Sequence, residues 1–172
     1  MRIFPYLLLS IFVISFTACS SDDDSSGGQA DTLLGKWNAS QFTMDGTFEE
    51  DGMTVEFSGI ANDLTGNDAT FKSDNTLTAN NAPFDMELTF IFDGIPVTMT
   101  QTMSESMMSS GTWRKEGDLL YLKETGSDEE YAYTIETLNN TTLKLTGDQD
   151  SMEMDDDFPD NAIFNVSITF TR

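Results

Sequence analysis

The chain contains no histidine. That removes the usual proton shuttle and the commonest transition-metal ligand, and with them the familiar serine–histidine and cysteine–histidine catalytic arrangements. It has one cysteine, so no intramolecular disulfide can form and the fold must rest on its hydrophobic core. Basic residues are scarce: 8 Lys and Arg face 30 Asp and Glu, for a formal net charge of −22. Such a surface repels nucleic acid and anionic lipid headgroups, which excludes a nucleic-acid partner. Neither a glycine-rich phosphate loop nor a lysine-based nucleophile motif is present. A pair of carboxylates could act on glycosides, but among 30 acidic residues any chosen pair carries little statistical force. The chain is therefore read as a non-enzyme, with no catalytic residue, metal or cofactor expected.

What is present begins at the amino end. Arg2 is followed by an apolar stretch, Ile3 to Phe16, and by the small-residue site Thr17-Ala18-Cys19. A positive start, an apolar middle and small residues before a cleavage point make a signal peptide. The combination resembles the lipobox of bacterial lipoproteins, with Phe16 where leucine is most frequent. The resemblance implies that Cys19 is acylated, that residues 1–18 are removed, and that the chain is held to the membrane by acyl chains. Ser20-Ser21-Asp22-Asp23-Asp24 is similar to the acidic export signal of surface-exposed Gram-negative outer-membrane lipoproteins, which implies an outer-membrane location facing the cell surface. A transmembrane anchor at Ile3 to Ala18 would be shorter than the roughly 20 apolar residues that span a bilayer core. Acylation suffices physically, since each buried methylene contributes about 0.8 kcal/mol and two or three chains hold where one is marginal.

Residues 19–31 form a tether of serine, aspartate and glycine, with too little apolar surface to offset chain entropy. Residues 32–172 are one domain. From Leu33 onward helical periodicity is missing and short alternating runs are separated by turn residues, which predicts antiparallel strands with one wet and one buried face. The clearest run is Phe84 to Met103. A type I′ turn at Asp93-Gly94 predicts the pairs Phe92 with Ile95, Phe90 with Val97, Leu88 with Met99 and Phe84 with Met103, with Gln101 opposite Met86. Pro96 lacks an amide hydrogen, so its nitrogen must face away from the ladder or lie at an edge. Met53 to Phe57, Leu120 to Leu122, Tyr131 to Ile135, Leu143 to Leu145 and Phe164 to Phe170 alternate in the same way. Closing such a meander removes its exposed edges, so the expected architecture is all-β: an up-and-down antiparallel barrel of about eight strands.

Several fragments, in order along the domain, are similar to lipocalin-like lipoprotein domains: Leu34-Gly35-Lys36-Trp37, Phe71 to Leu77, Ser110-Gly111-Thr112-Trp113, Gly117 to Leu122, Tyr133-Thr134-Ile135, Leu143-Lys144-Leu145 and Thr169 to Arg172. The long polar segment from Asp45 to Asp68 departs from that pattern. The resemblance implies that Gly35 and Trp37 form the barrel base and that Arg172 covers the tryptophan, a contact of about 0.5–2 kcal/mol. It also implies a small apolar or amphipathic ligand, with Phe71, Leu77, Phe84, Met86, Leu88, Phe90, Val97, Met99, Gln101 and Trp113 as candidate lining. The alternative is a structural or protein-interaction domain with a filled core, accessory to a surface complex; barrels of this size do either. The methionines of the hairpin and its continuation, Met86, Met99, Met103, Met107 and Met108, are read as core filling. The acidic loop Asp148 to Asp160 lacks the glycine and closing glutamate of an EF-hand and is read as solvated, with calcium a minor alternative. Asp31-Thr32-Leu33 and Asp150-Ser151-Met152 resemble O-glycosylation sites of exported proteins, at Thr32 and Ser151.

Overall fold

A computed structural model describes residues 33–104, 106–148, 151, 159 and 161–172. Its eleven strands are β1 (Gly35–Glu50), β2 (Met53–Ala61), β3 (Asp68–Phe71), β4 (Thr76–Asn80), β5 (Phe84–Phe92), β6 (Ile95–Met103), β7 (Gly111–Glu116), β8 (Leu119–Glu124), β9 (Tyr131–Leu138), β10 (Thr142–Asp148) and β11 (Ile163–Thr171). All pairings are antiparallel. β1, β3, β4, β7, β8, β9, β10 and β11 form a closed ring of eight, sealed where β11 pairs with β1. The fold is the expected antiparallel barrel.

The remaining strands arise because three long strand lines are interrupted. β1 runs for 16 residues, and its second edge is shared: Phe42 to Glu50 pairs with β2, and Gly35 to Asn38 pairs with β3. β2 and β3 are thus two halves of one returning line, separated by residues 62–67. The same holds for β4 and β5, broken at residues 81–83, and for β6 and β7, broken at residues 104–110. Eight lines follow one another in chain order. At one end they close into the ring; at the other, β1, β2, β5 and β6 continue past it as a flared wall whose last strand, β6, has no neighbour on its far edge among the described residues.

Asparagine amides stitch the breaks together. Asn67 is 3% exposed, and its side chain donates to the Ala82 carbonyl at 3.1 Å and accepts from the Ala82 amide at 3.0 Å, standing in for the backbone pairing lost on either side. Its own carbonyl accepts from the Ala39 amide of β1. Asn81 reaches the next gap, donating to the Met108 carbonyl at 3.0 Å. An unpaired buried backbone group costs about 1–3 kcal/mol, so these amides hold the interrupted ladder together.

The hairpin of β5 and β6 has the register predicted for it, Phe84 with Met103 through Phe92 with Ile95. Asp93 and Gly94 both have positive φ, 50° and 77°, as a type I′ turn requires. Phe92 and Ile95 close that turn as a hydrogen-bonded pair, so the next position, Pro96, directs its nitrogen away from β5 and toward the free edge.

Candidate functional site

The base of the barrel is solid. Leu33, Trp37, Ala69, Leu120, Leu143, Leu145 and Ile168 are fully buried, and Phe71 meets Trp113 edge-on at 5.7 Å between ring centres. Trp37 donates its indole N–H to the Leu33 carbonyl at 2.7 Å. The Arg172 guanidinium lies 3.8 Å from the Trp37 ring centre and donates to the Leu34 carbonyl at 2.5 Å. Gly35 sits directly beneath it at φ 111°, a backbone conformation that side chains disfavour. The three residues expected at the base are therefore in mutual contact. Nearby, Lys36 pairs with Asp68 at 2.9 Å. Burial works to raise the Asp68 carboxyl, but hydrogen bonds from Lys36 and Asn80 and the Lys36 charge hold it below the ordinary carboxylate range.

The ten expected lining residues separate into two groups. Phe71, Leu77, Phe84, Met86, Leu88 and Trp113 are buried in the packed interior, and Phe90 is half-buried against Phe48 and Phe57. Val97, Met99 and Gln101 do not enclose a cavity with them. They lie on β6, outside the ring, where every residue from Ile95 to Thr102 is exposed. The reason is connectivity: β6 adds to the edge of the flared wall, beyond the point at which β7 turns in to meet β8. Gln101 consequently has its amide in water rather than in a wet cavity.

The inner face of that wall is apolar across its width except at Gln101, opposite Met86. Val55, Phe57, Phe84, Met86 and Leu88 are buried, and the same face continues outward through Phe92, Ile95, Val97 and Met99, which are 37–66% exposed. Met53, beside Glu50 at the tip of β1 and β2, adds to it. Met86, Met107 and Met108 fill the core as expected, whereas Met99 faces solvent.

A separate groove of about 610 Å³ lies on the outer faces of β1, β9, β10 and β11, lined by Thr43, Asp45, Glu136, Lys144 and Asn165 among others. Its walls are polar, and Lys144 pairs with Glu136 at 2.5 Å within it. At its end Ser151 is 4% exposed: its hydroxyl donates to the Ala132 carbonyl, and its own carbonyl accepts from the buried Tyr133 hydroxyl. Burial pushes the Tyr133 hydroxyl above its ordinary range. The hydroxyl suggested as a glycan acceptor is thus buried and already hydrogen-bonded. Cys19, the tether, Thr32 and most of the acidic loop after Asp148 lie outside the described residues. Among the described residues no group of three or more carboxylate or thiol side chains is placed to hold a metal ion.

The stitching asparagines were not singled out from sequence. Their signal is a cluster, Asn62, Asn67, Asn80 and Asn81 ahead of Pro83, where strand alternation lapses. No family model, curated protein or solved structure matches the chain.

Proposed function

We propose that the chain is a non-catalytic, lipocalin-like binding module, held at an outer-membrane surface by acyl chains on Cys19, and that its flared wall takes an elongated apolar or amphipathic molecule. The observation that carries the reading is the continuous inner face from buried Leu88 to exposed Val97, Met99, Phe92 and Ile95. A filled base leaves the ligand this open face instead of an enclosed chamber. Covering the exposed halves of four such side chains contributes on the order of 4 kcal/mol. That alone supports only about millimolar affinity, which favours a molecule long enough to run along the strands over one that touches a single spot.

Titration of the full chain with an environment-sensitive apolar dye tests this. Saturable enhancement is expected, weakened several-fold by Val97→Asp with Met99→Asp, and unchanged by Ile163→Asp, which alters an exposed side chain on the outer face of β11. Absence of saturable binding, or indifference to the first pair of substitutions, removes the ligand reading. The solid base favours a second reading, in which the same face docks against a protein in a surface complex.

A further inference from the structure

We propose that β6 is a self-pairing edge through which two copies of this chain join their flared walls into one continuous sheet; the inference does not depend on ligand binding. Open sheet edges are ordinarily protected by charge, by covering elements or by being short. Among the described residues β6 has none of these protections. It is nine residues long, exposed from Ile95 to Thr102, and without a charged side chain in a molecule of net charge −22. Its sole interruption is Pro96, at one end.

The register of the hairpin determines which groups the edge offers. Because Phe92 and Ile95 form the hydrogen-bonded pair at the turn, the backbone amides and carbonyls of Thr98, Thr100 and Thr102 point away from β5. These three positions are symmetric about Thr100. A second copy placed antiparallel about a two-fold axis at Thr100 pairs Thr98 with Thr102 of the other copy and Thr100 with its counterpart, using all six outward donors. Pro96 falls beyond the paired span, so its missing donor removes nothing.

Side chains fit the same arrangement. One face carries threonine against threonine, a favourable cross-strand pair. Thr98 and Thr102 are already steadied there by Thr89 and Asp85 of β5. On the other face Val97 meets Met103 and Met99 meets Gln101, a two-fold, self-complementary contact in which the apolar pairs flank two exposed amides. The nearest charge facing its own copy is Glu87, opposite Thr100. Across three strand spacings the two Glu87 residues stand about 14 Å apart. That exceeds the Debye length of about 10 Å at 0.1 M salt, so the repulsion is screened. A lipid surface is a poorer occupant, since Asp51 and Asp93 occupy the two turns at the tip. The contact is small, which places it among weak interfaces.

Sedimentation of the full chain in detergent, over a range of concentration and salt, reads the association directly. Monomer and dimer in concentration-dependent exchange are expected, with the dimer strengthened as salt rises. Thr100→Pro removes two inter-copy hydrogen bonds without touching the pairing to β5, and is expected to raise the dissociation constant about tenfold. Thr100→Glu weakens association several-fold by placing like charges opposite one another. Register is read by cysteine cross-linking in cells making the full chain. Thr100→Cys forms a disulfide-linked dimer on mild oxidation, because hydrogen-bonded partners lie about 5.5 Å apart between Cα atoms. Thr98→Cys gives no dimer above the wild-type background, since its partner is four residues away. A monomer at every concentration, a dimer indifferent to both Thr100 substitutions, or cross-linking of Thr100→Cys only to a different protein would overturn the proposal.

Discussion

At the residue scale, Arg172 and Asp68 each join distant parts of the chain. Arg172 lies over Trp37 and donates to the Leu34 carbonyl, so the segment following β11 caps the start of β1. Arg172→Ala removes a cation–π contact of about 0.5–2 kcal/mol and a charged hydrogen bond of about 1.5–3 kcal/mol. A loss of about 2–4 kcal/mol is expected in denaturant unfolding, after allowing for overlap between the two. Arg172→Lys should recover less than half of it, because an ammonium cannot both stack on the ring and reach the carbonyl. Asp68 ties β3 to Lys36 of β1 and Asn80 of β4. Its folded-state carboxyl is held below the ordinary value, so its contribution is present above the unfolded pKa of about 3.9 and is lost as pH falls through the lower folded value. Asp68→Asn is therefore expected to unfold at lower temperature than the parent at neutral pH, and the difference should close as the buffer is acidified through the lowered folded-state value. Of these residues, the Trp37 and Arg172 pair was legible only through the resemblance that Gly35-Lys36-Trp37 and Thr169 to Arg172 bear to lipocalin-like domains. The role of Asp68 was not, since one carboxylate among 30 carries no mark of its neighbours.

At the scale of elements, the hairpin of β5 and β6 was readable down to its register: two-residue turn chemistry and period-two alternation specify the same pairing. The interruptions were not readable, because a pause in alternation looks alike whether a strand ends or only skips. Close approach between strands is equally silent. A Cβ on Gly111 would lie 1.9 Å from the Lys123 carbonyl oxygen, where β7 meets β8, and the atoms it would strike are all backbone of β8, so no side chain can move aside. Gly111→Ala is expected to lower stability by about 1–3 kcal/mol or more. Gly52, at the turn between β1 and β2, has open space around its Cβ direction and a φ of 78°. Gly52→Asn should stay within about 0.5 kcal/mol of the parent, since asparagine tolerates that region. Thermal melts of the two variants side by side check both expectations.

At the scale of the molecule, one end is closed and packed, and the other opens into an apolar wall with a free edge. The proposed tether adds a test of its own: Cys19→Ser should move the chain from the membrane fraction to the soluble fraction, whereas continued sedimentation with membranes would show that acylation is not what holds it. The residue pattern alone dictates an all-β, antiparallel chain about eight strands around, because alternation with period two reports which side chains must leave water. It determined the turn and register of β5 and β6 for the same local reason. Which strands close the ring depends on where each long line breaks and which edge is left to pair. The assembled sheet settles that, as it settles that Val97 and Met99 face solvent while Leu88, with an identical local pattern, is buried. Burial is a property of what lies across the sheet, and local spacing carries no record of it.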